Sequence, residues 1–121
     1  MHLIAEQRFI IERPVEDVFA FMANLENFGK WFPGVIAIVA ENDLPVGMVG
    51  KQYLETVRIP VKGYQKVRIK VVEAVANECI VTEGKLPPVM PRMDMRFTRQ
   101  DAGTSHVHWR MYSRSTHPLF K

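Results

Sequence analysis

The chain has 121 residues but only one cysteine, Cys79, so no internal disulfide can form. A protein without cross-links suits a reducing compartment. No apolar run approaches the roughly 20 residues of a membrane span. The start, Met1-His2-Leu3-Ile4-Ala5-Glu6, has neither the basic nor the apolar stretch of an export signal. These absences predict a soluble cytoplasmic protein with no stable membrane insertion. The net charge of +3 is too small to imply nucleic acid, and no long run of like charge forms a tail. Gly-rich phosphate loops, nucleophile elbows and Cys-x-x-Cys pairs are missing, so the chain shows no motif for nucleotide, hydrolase or thiol-redox chemistry. Gly47-x-x-Gly50 falls between strands, where turn geometry accounts for it. There is no repeat, low-complexity tract or linker, which leaves a single domain over 1–121.

What is present is apolar and patterned. Hydrophobic residues make up 47% of the chain, enough to rule out a disordered composition. Leu3–Glu12 alternates with period two and reads as a strand. Pro14 then suits a first helical turn, and Glu16 and Asp17 favour the positive end of the helix dipole. Val15, Val18, Phe19 and Met22 share one face of that helix. Asn24 can cap a second short helix, in which Leu25, Phe28 and Phe32 share a side with Trp31 adjacent. Pro33-Gly34 ends it. From Val35 onward the pattern is strand-like: Val35–Glu41, Lys51–Ile59, Tyr64–Ala74, Glu78–Glu83, Arg92–Gln100 and Thr104–Arg114. Short turns at Ala76-Asn77 and Asp101-Ala102-Gly103 imply antiparallel pairing. Leu86–Pro91 holds three prolines and must be an irregular connection.

The strands have two unlike faces. Met93, Met95 and Phe97 alternate with Asp94, Arg96 and Thr98. Val107, Trp109 and Met111 alternate with His106, His108, Arg110 and Tyr112. Val67, Ile69 and Val71 alternate with Lys66, Arg68 and Lys70. An antiparallel sheet solvated on one side has this pattern, and its apolar side needs a cover or a ligand.

The order of strand, Pro14-x-Glu16-Asp17-Val18-Phe19-x-Phe21-Met22 helix, and Asn27-Phe28-Gly29-Lys30-Trp31-Phe32-Pro33-Gly34-Val35 resembles the START-like helix-grip superfamily (SRPBCC). Pro45-Val46-Gly47-x-x-Gly50 and the strand meander extend the likeness to its polyketide cyclase/dehydrase and lipid-transport group. The resemblance is most specific over 9–35 and looser through Gly47–Tyr53. It implies an α+β fold: a curved antiparallel sheet of about six to seven strands, with two short helices inserted after the first strand. It also implies a deep apolar cavity. Members bind lipids, polyketides, sterols, hormones or quinones, and a minority catalyse cyclisation, dehydration or ring hydroxylation. They share no catalytic triad, so no catalytic residue transfers. The family's C-terminal helix runs to about 20 residues. Here only Ser115–Lys121 follow the last strand, too few to cover a sheet. The expectation is either a truncated product or a homodimer that buries the uncovered face.

Phe28, Trp31 and Phe32 of the second helix, with Tyr53, Val57, Val67, Ile69, Met93, Met95, Phe97, Trp109 and Met111 of the strands, are the candidate ligand-binding set. Methionine and aromatic side chains suit an adaptable apolar pocket, and equally an ordinary core. Glu55 points inward if Tyr53 and Val57 do; it is solvated if Leu54 marks the inner side. An inward carboxyl has a raised pKa and can act as a general acid or base, so Glu55 and Tyr53 are the weak catalytic candidates. Glu83 raises the same question. His106-x-His108 has a spacing that can hold zinc, but no third ligand matches it, so no metal and no cofactor is implied. Lys66, Arg68, Lys70, Arg96 and Arg110 form either a solvated outer face or one that meets anionic groups. With only Tyr64 and Tyr112 interleaved, they are no platform for nucleic acid. Cys79 reads as a buried structural thiol.

The leading expectation is binding of a hydrophobic small molecule or lipid. A cyclase/dehydratase-like enzyme using a cavity carboxyl or tyrosine is the alternative, and a ligand-free dimerisation or protein-interaction module the second. The absence of a strong catalytic motif favours binding over catalysis.

Overall fold

The computed structural model of the chain describes residues 1–115. Its order is β1 (His2–Ile11), α1 (Val15–Met22), a 3-10 helix (Leu25–Lys30), β2 (Val35–Ala40), β3 (Gln52–Ile59), β4 (Gly63–Val75), β5 (Cys79–Lys85), β6 (Pro91–Asp101) and β7 (Thr104–Ser113). All strands belong to one curved antiparallel sheet in the order β1-β7-β6-β5-β4-β3-β2. This is the α+β architecture expected from the sequence, with both helices after the first strand.

The topology explains why those helices matter. β1 and β2 are the two edges of the sheet. The chain leaves at one edge and re-enters at the other, so residues 12–34 must cross a sheet face. α1 packs on β6 and β7, and the 3-10 helix packs on β2. The crossing segment is apolar on its sheet side. Val15, Val18, Met22, Leu25 and Phe28 are buried, and Phe19 meets Phe97 edge-on at 5.1 Å between ring centres. The Asn24 side chain accepts from the Glu26 N–H at 3.1 Å and caps the 3-10 helix. Glu26 in turn accepts from the Ala40 N–H at 3.2 Å, tying that helix to the edge strand β2. Gly34, at φ +87°, makes the turn back into β2 with a backbone conformation that suits glycine. Asn77 does the same at φ +61° between β4 and β5, where its short polar side chain tolerates the left-handed region.

The concave face holds the core: Tyr53, Val67, Ile69, Val71, Ile80, Met93, Met95, Phe97, Val107 and Trp109 are all buried. The convex face is less simple than its alternating pattern implied. Cys79, Val81 and Asp94 lie on it and are nevertheless buried. At Asp94, arginine side chains from β6 and β7 account for this, since they close over the carboxylate while their heads stay partly wet. Asp94 receives Arg96 through two hydrogen bonds of 2.9 and 3.0 Å and has Arg110 at 3.6 Å. The Asp94 carboxylate, chiefly by hydrogen bonding, raises the pKa of the Arg96 guanidinium. The expectation that Ser115–Lys121 is too short to cover the sheet concerns, from residue 116 on, positions outside the described residues.

Candidate functional site

The register of β3 decides the direction of its polar side chains. Glu55 stands opposite Ile38 on β2 and Val67 on β4, both buried. It therefore shares the concave face with Tyr53 and is only 6% exposed. Of the two orientations the sequence left open, the inward one is realised. Leu54, the competing marker, is half-buried on the other side.

Glu55 lies where two spaces meet. One is a small cavity of about 50 Å³, walled by Leu25, Phe28, Val67, Ile69, Thr82, Gly84, Pro91, Met93 and Met111. The other is an open groove of about 250 Å³ that shares Phe28, Glu55, Pro91 and Met111 with it. Phe32, Pro33, Gly34, Val35, Val57, Arg58, Leu86 and Val89 complete the groove. Within this apolar setting, Glu55 Oε2 is buried and has no hydrogen-bond partner. Burial alone, with no cation to offset it, pushes its pKa up to about 7. Near neutral pH the group is therefore poised between a hydrogen-bond donor and a carboxylate. The cavity alone is far smaller than the roughly 300–1,000 Å³ of small-molecule sites, so a ligand must use the groove as well.

A second groove of about 260 Å³ lies toward β1, between Ala5, Gln7, Phe9, Trp31, Phe32, Pro33 and Trp109. Phe32 and Pro33 form the wall common to both grooves, and Phe32 holds it in place. The Phe32 ring stacks on Phe28 at 4.7 Å and tilts against Trp109 at 5.4 Å. The indole Nε1 atoms of Trp31 and Trp109 are buried without partners.

The sequence-predicted residues thus separate into three groups. Phe28, Glu55, Val57, Val67, Ile69, Met93 and Met111 line the cavity or its groove, and Trp31 and Trp109 the second groove, with Phe32 in both grooves. Tyr53, Met95 and Phe97 line none of these three spaces and are packed core. The Tyr53 hydroxyl sits by the Leu25 backbone amide, short of full hydrogen-bond geometry, and burial raises its pKa. Leu25, Thr82, Gly84, Pro91, Leu86 and Val89 were not anticipated. Thr82 and Gly84 share the face of Ile80 on β5, a signal masked because Cys79 and Val81 on the opposite parity are apolar too.

Glu83 lies on the convex face, held by Arg92 at 2.7 Å. His108 pairs with Glu6 across the β1–β7 ladder. Among the described residues, no group of three or more His, Cys, Asp and Glu side chains is placed to hold a metal ion. The convex cations are mostly engaged. Arg68 pairs with Glu41 at 2.9 Å, Arg96 and Arg110 meet Asp94, and Lys66 donates to Thr56 Oγ1 at 2.7 Å.

A curved sheet whose two helices cross from edge to edge over an apolar cavity defines a START-like, helix-grip domain of the SRPBCC superfamily. Within it, the chain belongs to the polyketide cyclase/dehydrase and lipid transport family, whose model matches residues 2–120. No curated protein matches the sequence significantly. Solved structures match in fold. A START superfamily protein from Mycobacterium smegmatis is 12% identical with a TM-score of 0.77, over 98% of this chain and 80% of its own. The protein DR_A0006 from Deinococcus radiodurans is 15% identical with a TM-score of 0.73, over 91% and 82%. The Zhui aromatase/cyclase from Streptomyces sp. R1128 is 13% identical with a TM-score of 0.71, over 95% and 71%. Among the described residues no helix is long and apolar enough to cross a membrane.

Proposed function

We propose that the protein binds a hydrophobic small molecule or lipid between the sheet and its crossing helices, with the Glu55 carboxyl orienting it. The observation that carries this is a buried carboxyl oxygen without a partner, at the junction of an apolar cavity and an open groove. Native proteins seldom leave such a group unmatched, and a ligand oxygen that accepts from the neutral carboxyl would match it. Burial of apolar surface supplies affinity at about 25 cal/mol per Å². Native mass spectrometry of protein purified from its host, followed by denaturing extraction, tests the reading. A bound apolar molecule at one per chain supports it; repeated recovery of empty protein overturns it.

A cyclase/dehydratase-like enzyme is the second reading, favoured by the proton affinity of Glu55 near neutrality. Turnover lost in Glu55→Gln with binding retained would select it; binding without turnover in the wild-type protein would reject it. A homodimer is also proposed, because edge strand β1 exposes Leu3, Ile4 and Ile10 beside an unpaired backbone edge. Light scattering after size exclusion tests it, and a monomer at micromolar concentration would sink it. The single buried thiol supports a reducing, cytoplasmic setting.

A further inference from the structure

The β5–β6 ladder stops at Glu83 and Arg92. β5 runs on through Gly84 and Lys85, paired with β4 alone. The Gly84 carbonyl, left without a β6 donor, accepts from Arg114 Nη2 at 2.6 Å. This divergence opens a cleft of about 300 Å³ on the convex side, opposite the apolar cavity. Arg68, Lys70, Lys85 and Arg114 line it with one carboxylate, Glu83. That carboxylate is already spent, with Arg92 at 2.7 Å and Arg114 at 3.6 Å. Lys70 stands opposite Glu83 in register, yet neither it nor Lys85 has a hydrogen-bond or ion-pair partner among the described residues. Arg114 Nε is buried and unpaired as well.

We infer that this cleft binds the phosphate group of a small phosphomonoester. Two free ammonium groups, with the Arg68 and Arg114 guanidiniums beside them in the same wall, concentrate positive charge and mobile N–H donors, which suits a compact dianion with several acceptor oxygens. The cleft is larger than one ion needs, and Val72 and Met90 add apolar wall for an organic substituent. The concave groups take no part, so this site stands or falls apart from the Glu55 reading.

Glycerol 3-phosphate titrated into the ¹⁵N-labelled full chain at low ionic strength tests the inference. Saturable shifts centred on the Gly84 and Lys85 amides are expected, with the dissociation constant raised at least about tenfold in K70A/K85A. Both lysines are exposed, so the double variant keeps its fold. R114K, which keeps the charge but loses the fork, should weaken binding less than the double variant. Co-sedimentation with vesicles containing phosphatidic acid, whose headgroup is itself a phosphomonoester, identifies the source of the phosphate. Lysine-dependent pelleting assigns a lipid headgroup, and soluble binding without pelleting assigns a free metabolite. Absence of saturable shifts at millimolar phosphoester, or equal titration of wild type and K70A/K85A, overturns the site.

Discussion

Glu55→Gln should make the protein more stable at pH 8 and leave it nearly unchanged at pH 4. Burial raises the Glu55 pKa from an ordinary 4.5 to about 7 in the folded chain. Below the lower value, both folded and unfolded chains hold the proton, and ionisation costs nothing. Between the two values the folded chain keeps a proton that the unfolded chain has lost, so stability falls as pH rises, by about 1.4 kcal/mol per pH unit. Above the upper value the loss levels off at about 3 kcal/mol. Glutamine has the same shape and never ionises, so its stability curve lacks this slope. Urea unfolding followed by the fluorescence of Trp31 and Trp109 measures both curves. With an m-value of about 1.5 kcal/mol/M, the midpoints should separate by about 2 M at pH 8 and nearly coincide at pH 4. Other titrating groups cancel in the difference between the two proteins. A constant difference across this range would mean that the carboxyl is solvated or paired, and the reasoning behind the site would fail.

Other perturbations test the remaining parts. Met95→Ala removes a fully buried side chain from the sheet core and should cost about 2–5 kcal/mol in urea unfolding. Trp31→Ala should weaken an apolar ligand by about 1–3 kcal/mol with the circular dichroism intact, and unchanged affinity would remove Trp31 from the pocket. Asp94→Ala removes the hydrogen-bonded partner of Arg96, which among the described residues keeps only Glu73 at 3.6 Å, and the carboxylate beside Arg110; it should lower stability by about 1–3 kcal/mol in thermal melts at neutral pH, and a neutral result would show that the convex network is only solvated charge.

The succession of strands along the chain was readable because period-two alternation and tight turns are local, whereas the pairing of β1 with β7 joins the two ends of the chain and left no local signal. The helical unit 14–32 was readable because its apolar spacing, charged first turn and Pro-Gly stop are all short-range. β3 was not readable in the same way. Tyr53 and Val57 are apolar at one parity, and Leu54 at the other, so alternation alone could not orient Glu55. β5 failed similarly, with Ile80 and Val81 both apolar and both buried. Asp94 was expected to be wet because its alternation is polar, and it is buried because arginines from its own and a neighbouring strand close over it. The candidate pocket was half legible: its aromatic wall is a sequence cluster, whereas Thr82, Gly84 and Pro91 reach it only through strand pairing.

The amino-acid sequence by itself determined the element order, the split between an apolar and a cationic sheet face, and the family likeness. All of these rest on periodicities and motifs within about ten residues, the span that local backbone geometry controls. The tertiary structure decided which side of β3 faces inward, which methionines and aromatics are core and which are wall, and which cations are already paired. Those outcomes depend on register between strands far apart in the chain, because a shift of one residue turns every side chain to the other face.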